Sequence, residues 1–579
     1  MPYLVSVQLM YRYILFIDGS VMVEKKEIIN LLEKIADLME FNGENPFKVN
    51  AYRNGANALR RSELNLQKMI SEKLLSNVKG IGKGLQSVIY EYSETGDSVT
   101  LKELMKGVPA GIDELLKIRG LGPKKIKTLY SELGVSNLGE LEYACKENRL
   151  ALLKGFGEST QKKITSEIEK LKVYSKYALL NIAEDYSDQV LERISRFKSI
   201  SKVAVTGQLR RGMEIISELR FIVLTAAEEL LCKEINEHFK CEKKDNAINI
   251  KNGFSIPVVL YPVNTEEEFT GKLFLTTGSP EFLNAIKYSE SESKSFSSEQ
   301  EIFQSFKIPY VIPEMREAEY FTVKNKKLLQ NSDLSINMFK GLLHFHTTYS
   351  DGKNTLAEML REAKKEGFLY ASVCDHSKSA FYAKGLNEDR IIEQKQEVRS
   401  LSSQIELEVF HGIESDILQD GSLDYEDDFL SNFDFVVASI HSGFQAEQDE
   451  MTRRIIKAVE NPNTDLLGHP TGRLLLSRDP YKVDMIKVID ACAANKVALE
   501  INANPHRLDL DWRMIYYARE KGCLFSINPD AHSTEDISYI KYGVIIGRKG
   551  GLQCKEVINY FEVKEFKNFL KRKINRNIN

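Results

Sequence analysis

The chain lacks three things that would each have steered its reading elsewhere. Its seven cysteines, an odd number running from Cys145 to Cys554, contain no Cys-x-x-Cys pair. That argues against a disulfide framework and for reduced thiols in a cytoplasm. No long apolar run is free of charge. The most apolar stretch, MPYLVSVQLMYRYILFIDGSVM, is broken by Arg12 and Asp18, has no positively charged start and is followed by no small-residue cleavage site. No signal peptide and no membrane partner are therefore expected, and residues 1–22 read as a start codon assigned too far upstream or as a short extension. Net positive charge is missing too. The formal charge is -4, which would disfavour a polyanionic partner if it were evenly spread. It is not: lysines gather beside glycine turns in the first third and in the tail KEFKNFLKRKINRN, while acids concentrate in LDYEDDF and NTEEEF. The 42% apolar and 28% charged content is ordinary for a multidomain globular enzyme.

Histidine is also scarce, and its distribution is the strongest signal present. Between Gly341 and Ser533, seven short apolar runs end in HFHTTYSDG, CDHS, HGIESD, ASIHS, LLGHP, LEINANPH and INPDAHS, which hold eight of the nine histidines, six of them in the ligand pattern. The stretches between them, such as AEMLREAKKEGF and VDMIKVIDACAANK, each suit a helix. This is the pattern of a βα barrel, in which ligands from distant sequence converge at the C-terminal ends of parallel strands. The candidate metal ligands are His344, His346, Asp351, His376, Glu414, His441, His469, Asp530 and His532. Residues two apart on a strand share a face, so His344 with His346, and Asp530 with His532, are expected to present ligands in pairs. A lone histidine of this kind would be a core residue; nine ligands at repeated strand ends point to metal, and they exceed the needs of one ion. Two or three divalent ions are expected, and the all nitrogen and oxygen set favours Mn or Zn, with Fe possible. A water held by these metal residues is the expected nucleophile, which suits phosphoester hydrolysis. Arg473 and Arg507 follow ligand-bearing runs and are candidate substrate-phosphate binders. Cys374 precedes Asp375 and His376 but is expected to point away as a packing residue. His411 and His506 fall outside the ligand pattern.

These motifs resemble the polymerase-and-histidinol-phosphatase (PHP) domain from about Met338 onward, with all nine ligand positions of that family filled. One departure stands at Leu342, where the family has an aspartate, so a hydrogen bond to an imidazole is expected to be missing.

The N-terminal third repeats an apolar-x-Gly-apolar-Gly turn three times: VKGIGKGL with Gly80 and Gly82, IRGLGPKKI with Gly120 and Gly122, and LKGFGESTQKKI with Gly155 and Gly157. Two glycines around one apolar residue make a tight connection between helices, whose exposed N–H groups can bind a phosphate. Lys83, Lys124, Lys125, Lys162 and Lys163 add charge there. Three such turns read as helix-hairpin-helix elements gripping a DNA backbone without reading sequence.

With the basic, helix-patterned segment LLEKIADLMEFNGENPFKVNAYRNGANALRR, this order of parts resembles the family X DNA polymerases, whose bacterial members carry a C-terminal PHP domain. The resemblance spans Val23 to the end. It implies a multidomain α+β and α/β chain: helical DNA-binding domain with the first hairpin at 23–95, fingers with two hairpins at 96–175, nucleotidyltransferase-like palm at 176–265, thumb at 266–335, and a PHP distorted (βα)7 barrel at 336–579.

The polymerase site departs from that family. Its palm reads roughly GSxRRGxExxGDxD, with a third aspartate on a later strand. GQLRRGMEIISELRFIVL keeps Gly207, Arg210, Arg211, Gly212 and Glu214. Gln208 replaces the serine, and Ser217, Glu218 and Arg220 occupy the GD-x-D positions, while Pro257 stands where the third aspartate is expected. Glu218 is the only acid left, so Mg binding and polymerisation are expected to be absent, unless Glu214 and Glu218 recruit metal in another register. The fragments TGSPEF (Thr277 to Phe282) and IPEMRE (Ile312 to Glu317) remain, whereas the thumb segment SESESKSFSSEQ is serine-rich. Val88 occupies the position where some family members carry a Schiff-base lysine, and a valine forms no imine. The expected function is a 3′-5′ exonuclease or 3′-end-processing phosphoesterase in DNA repair, acting on gapped or 3′-ended DNA. Two alternatives stay open: a small-molecule phosphatase of the histidinol-phosphatase kind with a DNA-binding adaptor half, and an active repair polymerase.

Overall fold

A computed structural model of the chain describes residues 25–571 apart from 62–65, 110, 147–148, 151–152, 175, 245, 252–254, 289–295 and 323–328. The N-terminal extension, the SESESKS stretch and the end of the basic tail lie outside the described residues. The chain divides into two compact units, Met1–Ser175 and Lys176–Asn579.

The first unit is helical. Helix α1 (Lys25–Asn42) carries Ile28, Leu32, Ile35 and Met39 at the three-to-four spacing that lines one face. That face packs against α2 (Pro46–Arg61) and α3 (Lys83–Thr95), whose Leu85, Val88 and Ile89 enter the same core. A second core gathers Ile126 and Leu129 of α4 (Pro123–Leu133) with Ile164 and Ile168 of α5 (Gly157–Tyr174).

The second unit opens with a five-stranded sheet: β1 (Lys202–Thr206), β2 (Leu219–Leu224), β3 (Lys240–Lys244), β4 (Ala247–Lys251) and β5 (Val258–Val263), in spatial order β1-β2-β5-β4-β3. Only β2 and β5 run parallel. Seven parallel strands follow in sequential order: β6 (Gly341–Phe345), β7 (Tyr370–Val373), β8 (Glu408–Asp416), β9 (Phe435–Ser439), β10 (Leu466–Leu467), β11 (Ala498–Asn502) and β12 (Phe525–Asn528). The ring closes just past the strands, where the His346 N–H donates to the Ala531 carbonyl at 2.8 Å and Phe345 bridges Ala531. Most residues of these strands are buried, which is why they read as apolar runs rather than as alternating ones. Helices return the chain between strands. The first, α6 (Leu356–Lys365), is started by a reciprocal Thr355–Glu358 cap and buries Leu356, Met359, Leu360 and Ala363; α7 (Met485–Asn495), α8 (Trp512–Glu520) and α9 (Ile540–Lys549) follow later.

The palm loop after β1 packs directly on α9. Gly212, at φ +62°, allows this, because a Cβ there would sit 2.2 Å from Ile545 Cγ2. Beside it the fully buried Lys549 ammonium donates to Glu317 Oε1 at 2.8 Å and to the Arg211 carbonyl at 3.1 Å, and Arg211 Nε reaches the same Glu317 oxygen at 2.7 Å. Among the described residues, no helix is long and apolar enough to cross a membrane.

Candidate metal centre

The barrel brings the nine candidate ligands to one rim. Three groups have ligand atoms all within 4.8 Å of one another: His346, Asp351, His376 and His532; His344, His346 and Asp530; and His376, Glu414 and His441. His469 falls outside these groups but meets Glu414, with Nε2 3.1 Å from Oε1. The buried Glu414 carboxylate is the hub, since His344, His346, His376 and His441 also lie 2.8 to 3.7 Å from it.

The donor chemistry fits metal. The His346 ring lies 4.3 Å from that of His376 and 4.2 Å from that of His532, both stacked. Protonated imidazoles that close would repel. Burial, then the His532 and His376 charges, hold His346 down to about 3, so it is neutral and offers one ring nitrogen as a lone pair. Its Nδ1 and that of His469 are buried with no hydrogen-bond partner among the described residues, as suits atoms shaped for an ion rather than for a proton. Elsewhere burial is overridden: Glu414 and Asp416 raise His441 to about 10, and Asp351 and Asp530 raise His532 to about 9. The carboxyls of Glu414 and Asp530 are held well below their usual range, because the surrounding imidazoles outweigh burial.

Two orienting carboxylates escaped the sequence reading. Glu500 accepts from His344 Nδ1 at 2.7 Å through Oε1 and from the His469 backbone N–H at 2.6 Å through Oε2. The imidazole bond expected to be missing at Leu342 is thus supplied from β11, and it turns His344 Nε2 toward Glu414 (3.4 Å) and Asp530 (3.6 Å). The signal was LEINANPH, a run that matched its neighbours yet supplied no ligand. Asp416 accepts from His441 Nδ1 at 2.6 Å; it lies two residues beyond Glu414 on β8.

Strand alternation is not what aims the ligands. His344 sits at φ +61°, where the β6 register shifts, His469 at φ +23° and Asp530 at φ +51° in the turn after β12. These are conformations that non-glycine residues adopt at a cost, and they cluster at functional sites. Arg473 has its donors engaged within the chain. Buried, it donates to the carbonyls of Arg507 (2.9 Å) and Leu508 and to Asp511 (2.6 Å), and so braces a loop. Arg507 remains by the centre, with Nε 3.8 Å from Asp530. Cys374 is buried among Leu343, Tyr370 and Phe410, and burial pushes its thiol up to about 12. His411 is buried against Gln394 and Phe433, and His506 is exposed.

In the first unit, Gly80, Gly120 and Gly155 adopt φ of +100°, +85° and +91°, so the turn itself requires glycine. Gly82 and Gly122 have ordinary φ of -76° and -77° as N-caps of α3 and α4, and a Cβ on either would meet no described atom within 4 Å. Among the described residues, nothing demands glycine at these two positions. The third copy departs, because Gly157 is itself at φ +58° and begins α5. Lys83, Lys124, Lys162 and Lys163 are exposed and Lys125 is half-buried. Val88 is a core residue.

In the palm, Arg220 Nε donates to Glu218 Oε1 at 2.9 Å, and its Nη2 contacts the same oxygen. The parallel register sets Arg220 opposite Val259, and the Pro257 carbonyl accepts from the Leu219 N–H at 2.9 Å. Gln208 accepts from Ser217 through Oε1. The remaining acid is therefore taken by the cation two residues on.

Comparison with known proteins accords with this layout. Residues 23–98 match a helix-hairpin-helix domain, residues 112–170 a SAM-like helix-hairpin-helix tandem, and residues 343–504 the PHP domain. Over 575 residues the chain is 36% identical to the DNA polymerase/3'-5' exonuclease PolX of Bacillus subtilis (strain 168), covering 95% of this chain and 99% of that protein. The chain belongs to the PolX family. Against that full-length match, a probable phosphatase of Thermoanaerobacter sp. (strain X514) is 27% identical over 40% of this chain and 94% of its own length. A probable phosphatase of Caldicellulosiruptor saccharolyticus is 29% identical over 34% and 81%. As a PolX-family chain with a PHP barrel, it combines helix-hairpin-helix DNA-binding elements with a candidate centre for metal-dependent hydrolysis.

Proposed function

We propose that the chain is a DNA-binding, metal-dependent phosphoesterase that shortens or trims DNA from the 3′ end during repair, with gapped or 3′-ended duplexes as substrates. The observation that carries this reading is the meeting of nine nitrogen and oxygen ligands at one barrel rim in a chain that also carries three glycine hairpins. His346, Asp351, His376 and His532, with His344, Asp530, Glu414, His441 and His469, would together hold the ions, and His346 and His376 would each serve one ion, since a neutral imidazole has one free lone pair. Two or three ions, Mn or Zn and less readily Fe, suit this donor set. Bound divalent ions lower the pKa of coordinated water and draw charge from a phosphoryl oxygen. Arg507 adds a guanidinium that can hold a substrate phosphate in a fork. Gly82 and Gly122 let the DNA backbone approach the start of α3 and α4, where N–H groups and nearby lysines receive phosphates.

The palm serves as a scaffold and does not polymerise. Two-metal nucleotidyl transfer needs several carboxylates, and Arg220 both replaces one and neutralises Glu218, so Mg is not held there. The working compartment is a cytoplasm in which the chain meets nucleoid DNA.

A metabolite phosphatase is the second reading, favoured by the probable phosphatases that match 40% and 34% of the chain. One assay separates them: purified protein with Mn, Mg or Zn on labelled primer-template, with and without deoxynucleotides, and on histidinol phosphate. Shortening that disappears in His344→Ala and Asp530→Ala supports the nuclease. Extension by one nucleotide refutes the palm argument, and hydrolysis of the small ester without DNA shortening selects the phosphatase.

A further inference from the structure

We propose that Glu214, on the palm, is a positioning residue for Arg507 at the barrel rim, acting through Arg513, Asp511 and Arg473. The proposal rests on the reading of Arg507 as a phosphate-holding residue of the nuclease. Every link is a charge-assisted hydrogen bond. Buried Glu214 accepts from Arg513 Nη1 at 2.9 Å. The same Nη1 donates to both Asp511 oxygens, at 3.0 and 3.1 Å. Asp511 Oδ2 accepts from Arg473 Nη1 at 2.6 Å, and the remaining Arg473 donors fasten the carbonyls of Arg507 and Leu508. The chain of alternating charge thus ends on the backbone of the very residue whose guanidinium faces Asp530 at 3.8 Å.

The two ends of this relay are shielded from water: Arg473 is only 8% exposed and Glu214 only 5%, so neither can trade a lost partner for water, while Arg513 between them is exposed. Asp511 also starts α8, accepting from the Arg513 N–H at 2.9 Å. Its carboxylate is therefore shared between the helix start, Arg513 and Arg473. Without Glu214, Arg513 keeps Asp511 and the more distant Glu319 at 3.7 Å. It then draws on Asp511 at the expense of Arg473, and the segment from Arg507 to Leu508 loosens. A palm without polymerase carboxylates keeps Glu214 for this reason: it sets the stiffness of the neighbouring site.

A double-mutant cycle between Glu214→Gln and Arg507→Ala tests the coupling. Glu214→Gln is expected to raise KM for 3′-ended DNA about five- to tenfold with kcat within about twofold, with metal content and melting temperature near those of the native chain. Glu214→Asp recovers most of the loss. On the Arg507→Ala background the same substitution changes KM by less than about twofold. Multiplied effects in the double variant, or a Glu214→Gln protein with native KM, overturn the relay. If Glu214→Gln fails to fold, Arg513→Gln replaces it in the same cycle. The cycle is run in parallel on p-nitrophenyl phosphate, so that absence of DNA shortening by the native protein overturns the nuclease reading while the coupling is still judged.

Discussion

Replacing Glu500 by glutamine changes one atom at the least exposed part of the centre. Both carboxylate oxygens of Glu500 act as acceptors: Oε1 for His344 Nδ1 at 2.7 Å and for the Asn528 amide at 2.8 Å, and Oε2 for the His469 N–H at 2.6 Å. A glutamine supplies one acceptor and one donor. If its oxygen stays with His344, its NH2 group faces the His469 N–H, and a buried donor is left unsatisfied at about 1–3 kcal/mol. If the amide flips, His344 loses the acceptor that fixes its tautomer, and Nε2 is no longer committed as a lone pair toward Glu414 and Asp530. Either arrangement also removes the negative charge that makes His344 a better donor. Orienting partners of this kind are worth about 10–100-fold in metal affinity, or about 1.4–2.7 kcal/mol. The readout is metal content after dialysis against graded metal buffers, beside nuclease activity titrated with Mn and Zn. The expected result is an activation curve displaced to higher metal by that factor, with activity largely recovered at saturation. An unshifted curve with full metal content would refute the reasoning, because it would mean that the 2.7 Å contact does nothing for the ligand it orients.

Three further outcomes follow from the same geometry. Glu299, buried between Arg210 and Arg316, is held down to about 2, since the two guanidiniums outweigh burial. Its folded pKa lies below its unfolded one, so its contribution is full above about pH 4.5 and fades as pH falls toward 2. Glu299→Gln should cost about 3–5 kcal/mol at pH 7 by leaving buried Arg316 unpaired, and denaturant melts should show that difference shrinking in acid. Gly82→Ala and Gly122→Ala are expected to leave thermal stability unchanged while weakening DNA binding about tenfold or more, whereas Gly80→Ala loses stability through its φ of +100°. Calorimetry and a salt-dependent binding isotherm separate the two effects, and equal losses of stability in all three would count against a ligand at the turns. Removing bound metal with a chelator should abolish DNA shortening, and Mn should restore it; activity that survives chelation in dialysed protein would rule out the metal centre as its source.

The barrel was legible because its strands are buried on both sides and therefore stand in the sequence as seven unbroken apolar runs, each with a return helix behind it. The candidate ligands stood out for a related reason: a charged or imidazole side chain at the end of such a run has no comfortable role in an apolar core. The turns that aim them were not. Left-handed conformations at His344, His469 and Asp530 are imposed by neighbouring strands and loops, and a non-glycine residue gives no local sign of adopting one. Glu500 and Arg473 show the same limit from opposite sides. Glu500 lies in an apolar run and orients a candidate ligand 156 positions away, while Arg473 follows a candidate ligand and braces a loop. Spacing along the chain reports which residues share a strand end. Whether one of them faces the ions, orients a ligand or fastens a backbone depends on hydrogen bonds made across the barrel, and the free acceptors that decide this come from segments far apart in sequence. The palm is the informative contrast, because the charge reversal at Arg220 needs no tertiary information: its partner Glu218 is two residues away, just before β2, so the sequence alone carries both halves of the ion pair.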